Sequence, residues 1–392
     1  MPFTRVLTPR SLRRLPLAVL LFLPCASHAN VVSPTPLCSP PVSTVAVERS
    51  HYTRRFVEVA KNVKLEVLDW GGRGHPLVLL AGLGNTAHVF DGMAPKLARH
   101  FHVYGITRRG FGASSTPKTG YTGDRLADDV VTVLKVLDVQ KPILVGHSIA
   151  GEELSEIGLR YPDHIAGLVY LDAVQPYSVY DPNNGAYLPD LSQLETQINR
   201  MHHDPYDKQQ MAALLRDAAA LTHSVDDALT GIKMDDASTA GAVNAGPSKQ
   251  DMASFAAFRC FVSKQLGGIM PEDEVRQTFS ATTSGGVGDQ KTPDFVYNAI
   301  LEGETRLRAP AVPILAIVPV PRASDLPQGS DPAKRATDEA MHTRMQEANI
   351  TALKSQQPSA EIVRVPQAHH YVFLSDQSKV VDAIVVFGER LQ

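Results

Sequence analysis

Eight short apolar runs recur along the chain, at residues 55–59, 64–69, 77–81, 102–106, 142–145, 166–171, 313–318 and 361–365. Those at 77, 142, 166 and 313 are nearly continuous, the pattern of strands covered on both faces. Between the runs, apolar residues return every three or four positions. Residues 124–137 place Leu126, Val130, Val133, Leu134 and Leu137 on one helical face, and residues 375–387 do the same with Val380, Val381, Ile384 and Val385. A third helix is expected over 333–353, with Asp331 as its N-cap and Pro332 at the first helical position. Strands separated by helices predict a mostly parallel sheet with helices on both faces, in three layers.

The alternation breaks between about residues 175 and 308. No strong strand pattern occurs there, only polar helical patterns at 191–201, 208–221 and 252–265, a small-residue tract at 237–248 and a loose Gly/Ser/Thr-rich stretch at 280–292. That reads as a mostly helical cap inserted into a core formed by 51–174 and 309–392.

The first residues fit neither pattern. Arg5, Arg10, Arg13 and Arg14 precede an apolar run at 15–23, interrupted by Pro16, and then comes Ser27-His28-Ala29. This predicts a signal peptide over 1–29, cleaved after Ala29, and an exported protein, periplasmic or secreted. The run is too short to cross a bilayer of ~30 Å, so no stable membrane anchor is expected after cleavage. Residues 30–50 are rich in Pro, Ser and Val and read as an extended segment. Removal of the leader leaves two cysteines, Cys38 and Cys260, either a disulfide formed on export or two separate thiols.

The chain has 392 residues, 43% hydrophobic and 20% charged, enough for one large α/β domain with an insertion. Its formal net charge of −3 becomes −7 without the leader, which holds four arginines and no acidic residue. Such a balance excludes nucleic acid as a partner, because phosphate binding needs a concentrated positive surface.

Candidate chemistry centres on Gly146-His147-Ser148-Ile149-Ala150-Gly151, where the strand pattern at 142–145 runs into a helical one. A serine on a tight strand-to-helix turn has its Oγ aimed outward, and the helix N-terminal amides face developing negative charge. Near the C-terminus, His369 and His370 follow the last strand pattern. A neutral imidazole there can take the serine proton and return it to a leaving group. Two carboxylates are placed to orient it: Asp172, which ends the sixth strand pattern, and Asp325, beyond Pro319 and Pro321 after the seventh. His202-His203-Asp204 lacks a partner at metal-ligand spacing and reads as a solvated helix face. His88, in Asn85-Thr86-Ala87-His88, sits where loop residues line a pocket mouth or simply pack.

With these motifs in place, residues 52–392 resemble the α/β-hydrolase superfamily. Leu79-Leu80-Ala81-Gly82-Leu83-Gly84-Asn85 is similar to the loop that helps form the family's oxyanion hole, and the resemblance implies Leu83 and Ile149 as the amide donors. The family usually has His-Gly where this chain has Ala81-Gly82. Arg108-Arg109-Gly110-Phe111-Gly112 resembles its turn after the fourth strand. The family's habit of placing the base before an aromatic residue favours His370, and relatives that supply the acid after the sixth strand favour Asp172, with Asp325 as the alternative. The resemblance implies an eight-stranded α/β-hydrolase fold with a helical cap and an acyl-enzyme mechanism on a small-molecule acyl substrate. Neither metal nor organic cofactor is implied. A catalytically silent binding protein on the same fold is the alternative from another class.

Overall fold

The computed structural model describes residues 51–175, 177–180, 246–324, 326 and 331–391. The expected signal peptide, the 30–50 segment, the helical patterns at 191–201 and 208–221, His202-His203-Asp204, Cys25, Cys38 and Asp325 lie outside the described residues.

All eight strand patterns are strands of one sheet. In chain order its members are β1 (Thr53–Ala60), β2 (Val63–Gly71), β3 (Pro76–Leu80), β4 (His102–Ile106), β5 (Ile143–His147), β6 (Gly167–Leu171), β9 (Ile314–Val318) and β10 (Glu361–Arg364). The spatial order is β1-β2-β4-β3-β5-β6-β9-β10. β1 pairs antiparallel with β2, and β2 with β4; every later pairing is parallel.

The helices are α1 (Ala94–Leu97), α2 (Gly123–Val136), α3 (Ala150–Arg160), α4 (Phe255–Gln265), α5 (Glu272–Thr278), α6 (Asp294–Glu302), α7 (Pro332–Gln356), α8 (Val372–Ser375) and α9 (Gln377–Glu389). Asp331 caps α7 as its position predicts, accepting from the Ala333 amide at 2.8 Å.

The near-continuous hydrophobicity of the central strands follows from two cores of opposite facing. Leu77 and Leu79 of β3, Ile143 and Val145 of β5, and Leu315 and Ile317 of β9 join one core, with Val380, Ile384 and Phe387 of α9. The intervening Val78, Leu80, Leu144, Ile314 and Ala316 join the other, with Val130 and Leu134 of α2, Leu154 and Ile157 of α3, and Leu353 of α7. Successive side chains of a strand point to opposite faces, so a strand with a helical layer on each side has no polar positions to spare.

The inserted region departs from the helical expectation. Within the stretch read as loose, β7 (Phe279–Ala281) and β8 (Val287–Gln290) pair antiparallel as a small separate sheet. The turn between them contains Gly285, at φ +84°, a conformation that its missing Cβ permits. The Gly/Ser/Thr richness that hid the strands is thus the chemistry of the turn joining them. Among the described residues, no helix is long and apolar enough to cross a membrane.

Candidate active site

The register of the parallel strands brings four chain segments to one edge of the sheet. Leu80 of β3 pairs with Gly146 of β5, His147 with Leu171 of β6, and Leu171 with Ile317 of β9. The residues that follow these strands, Ala81-Gly82, Ser148 and Asp172, therefore emerge side by side at the carboxyl edge, where ligands bind in open α/β sheets.

Ser148 occupies the turn from β5 to α3 with φ +54°, an uncommon conformation for a residue with a Cβ. Its amide donates to the Leu171 carbonyl at 3.2 Å, which holds the turn on the neighbouring strand end. Two glycines permit the close approach. A Cβ on Gly146 would stand 2.9 Å from the Leu154 side chain, and one on Gly151 would stand 2.1 Å from the Ala173 carbonyl oxygen. The helix thus presses on the β6 end at Gly151, one position after the buried Ala150.

Asp172 is fully buried, at φ +44°, with its amide on the Ile317 carbonyl at 2.9 Å. One carboxylate oxygen lies 2.6 Å from His370 Nδ1, and the other accepts from Gln346 Nε2 of α7 at 2.6 Å. A carboxylate held at both oxygens can face the imidazole in only one orientation.

The His370 loop is anchored over the sheet edge. The His370 carbonyl accepts from Val372 N at 3.0 Å and faces His147 Nε2 at 3.2 Å. Since a carbonyl only accepts, His147 Nε2 carries the proton. Burial, reinforced by the neighbouring His370, holds the His147 imidazole well below its usual pKa, so it stays neutral. Its ring packs against His370 at 4.6 Å between centroids. His369 points elsewhere, against Gly267 under the inserted region.

The loop after β3 closes the site. A Cβ on Gly82 would lie 3.3 Å from the Ser148 Cβ. Arg108 fastens this loop, donating from Nη2 to the Ala81 carbonyl at 2.8 Å and from Nη1 to the Gly82 carbonyl at 3.3 Å. The same guanidinium meets Glu153 of α3 through Nε at 2.6 Å and Nη2 at 3.0 Å. An arginine fork thus holds the loop at Ala81 and Gly82. Among the described residues, neither the Leu83 nor the Ile149 N–H has an acceptor, and Ile149 is the N-cap of α3.

Ser148, His370 and Leu83 line one open cavity. Its apolar wall comes largely from the inserted region: Phe258, Val262, Met270, Val275, Phe279 and Tyr297. Polar groups on it include Asn85, Glu274, Gln290 and Tyr371. Glu274 of α5 is buried and accepts from Asn85 Nδ2 at 2.9 Å, from the Thr86 amide at 3.1 Å, and from the Thr86 hydroxyl. Burial pushes its carboxyl up to about 6, opposed by the bonds from Thr86 and Asn85 and by His88. Asn85 in turn accepts from the Tyr371 hydroxyl at 2.9 Å.

Gln346, Glu274 and Tyr177 were not legible as site residues. Tyr177, five residues beyond Asp172, lies beside Ser148, and burial holds its hydroxyl well above the usual phenol range. None sits in a motif; only Asp172's position could have hinted at Tyr177.

His88 packs rather than lining the cavity. Its Nδ1 lies 3.3 Å from Asp91 and its Nε2 3.6 Å from Glu66. Burial opposes its charging, but these two carboxylates outweigh it and raise its pKa to about 10. His88, Asp91 and Asp273 place ligand-type atoms within 4.8 Å of one another. A protonated His88 already supplies the positive charge at that cluster.

Comparison with known proteins agrees with this architecture. The alpha/beta hydrolase fold family matches residues 75–217, and the chain contains an alpha/beta-hydrolase domain. The chain is 34% identical over 158 residues to the bifunctional esterase/perhydrolase DCH of Acinetobacter calcoaceticus, covering 38% of this chain and 57% of that protein. It is 28% identical over 126 residues to the 2-(acetamidomethylene)succinate hydrolase of Mesorhizobium japonicum, covering 32% of this chain and 45% of that one. The match thus spans about half the length of these relatives. The crystal structure of E-2-(acetamidomethylene)succinate hydrolase superposes with a TM-score of 0.54 at 17% identity, covering 86% of this chain and all of that one, which shows the shared fold.

Proposed function

We propose that this protein is an exported serine hydrolase that cleaves a carboxylic ester, or a related acyl bond, through Ser148, His370 and Asp172. The observation that carries the reading is the 2.6 Å contact of His370 Nδ1 with Asp172, in a cavity that His370 shares with Ser148. Ser148 Oγ attacks the substrate carbonyl carbon while His370 Nε2 takes the hydroxyl proton. Asp172 holds the Nδ1 proton and stabilises the imidazolium. The oxyanion is received by the Leu83 and Ile149 amides. His370 then returns the proton to the leaving alcohol, and water resolves the acyl-enzyme by the same route. A serine rather than an aspartate at the elbow separates this chemistry from that of the superfamily's dehalogenases.

Export is supported by the leader pattern over 1–29 and by the disulfide bond of Cys260, a bond that forms in oxidising compartments. The deciding experiment is fluorophosphonate labelling of the purified protein and of Ser148→Ala. Labelling of wild type alone, with kcat lowered up to ~10⁶-fold in the variant, is expected. Unlabelled wild type without esterase activity would instead favour a silent binding protein.

A further inference from the structure

The acyl-transfer chemistry leaves Glu274 unused, although the residue shares a cavity with Ser148 and His370. The groups that meet its carboxylate are donors: the Asn85 amide, the Thr86 amide, the Thr86 hydroxyl and, at 3.5 Å, the Thr278 hydroxyl. That environment suits an ionised carboxylate, which only accepts. A glutamine would take the Asn85 and Thr86 bonds through one oxygen at lower desolvation cost, so tying the inserted region to the core does not by itself call for a charge. The rest of the wall from the inserted region is apolar, and among the described residues lining the cavity there is no lysine or arginine.

We propose that Glu274 is a specificity-determining residue, whose carboxylate makes the cavity admit neutral apolar acyl groups and reject acyl groups that carry a carboxylate of their own. This rests on the hydrolase reading above and names the substrate class of that same site. An anionic acyl chain entering here loses its hydration, finds no cation on the described wall and approaches a fixed negative charge in a low-dielectric space. A branched or linear hydrocarbon chain finds Phe258, Val262, Met270 and Val275 instead.

The test compares two esters of matched shape at pH 8: 4-nitrophenyl 6-methylheptanoate, which is neutral, and the mono-4-nitrophenyl ester of adipic acid, which is anionic. Wild type is expected to favour the neutral ester in kcat/KM by at least ~100-fold, and Glu274→Gln to narrow that ratio by ~10-fold or more. A purely structural Glu274 would lower both esters together and leave the ratio alone, and that result overturns the proposal, as does a wild type that takes both esters equally. Should Glu274→Gln fail to fold by circular dichroism, Thr278→Lys sets an ammonium on the same wall with Glu274 retained, and must narrow the ratio likewise. Binding of 6-methylheptanamide and of adipamate, the mono-amide of adipic acid, to Ser148→Ala, with and without the Glu274 change, reads the same preference by calorimetry without turnover. Absence of all esterase activity in wild type would thus refute the hydrolase reading, while equal binding of the neutral and the anionic amide would refute this one.

Discussion

Arg108 and Glu153 meet in a buried bidentate pair, Nε to Oε1 at 2.6 Å and Nη2 to Oε2 at 3.0 Å, and the pair joins the loop after β3 to the helix after Ser148. The guanidinium spends its remaining donors on the Ala81 and Gly82 carbonyls. The two halves of the candidate oxyanion hole, Leu83 and Ile149, are therefore coupled through one arginine. Arg108→Met should leave Glu153 buried without its partner and cost about 3–5 kcal/mol, read from the urea midpoint. Arg108→Lys keeps the charge but loses the fork, so its kcat should fall more than its KM rises. An Arg108→Lys enzyme of unchanged kcat would separate the pair from the hole.

The Asp172 contact makes an equally direct prediction. Asp172→Asn should fold and lose about 10⁴-fold in kcat, because an amide facing Nδ1 disturbs the tautomer of His370. Asp325→Asn should stay near wild type. Steady-state kinetics on the two variants, with circular dichroism as the folding control, decide between them; a crippled Asp325→Asn beside an active Asp172→Asn reverses the assignment.

Glu152 predicts a pH dependence of stability. It is buried in the first turn of α3, and burial pushes its carboxyl from 4.5 to about 8, against hydrogen bonds from Thr305 and with added repulsion from Glu304 and Glu153. Between those values the folded protein holds a proton that the unfolded chain has released. Stability from this group is therefore complete below about pH 4.5 and is lost as pH rises through about 8. Urea unfolding at pH 5 and pH 8 should show a decline that is smaller in Glu152→Gln. Parallel profiles for the two proteins would show that Glu152 does not titrate in this window.

Cys260 is disulfide-bonded, and Cys38 is the expected partner under the proposed export, in which cleavage after Ala29 removes Cys25. The bond would close a long loop, worth ~3–5 kcal/mol in the chain-entropy model. The exported protein should start at Asn30 by mass spectrometry and titrate no free thiol when unfolded without reductant. Two free thiols under those conditions would rule the pairing out.

The order of strands and helices was legible from residues alone, because hydrophobic period is a local property: a strand between two helical layers must be apolar throughout, and a helix against a sheet must repeat near 3.6. The strand-Gly-x-Ser-helix context likewise identified Ser148 as the candidate nucleophile. The β7–β8 hairpin was not legible, since strands this short carry little pattern and their turn chemistry dominated the window.

Which carboxylate faces His370 was also beyond the sequence, which left Asp172 and Asp325 both open. The β5–β6–β9 register decides where Asp172 emerges, and the return of the chain after β10 decides what it meets. The same holds for Gln346, for the Arg108 fork that holds the Ala81 and Gly82 carbonyls, and for Glu274 on the cavity wall. Each is an ordinary polar residue in its own segment. Their roles come from partners more than twenty and up to nearly two hundred positions away, and only the folded sheet edge brings such partners into contact. Sequence determined the elements and the candidate nucleophile by short-range period and turn chemistry; tertiary structure decided the polar partners, because a hydrogen bond depends on distance in space rather than along the chain.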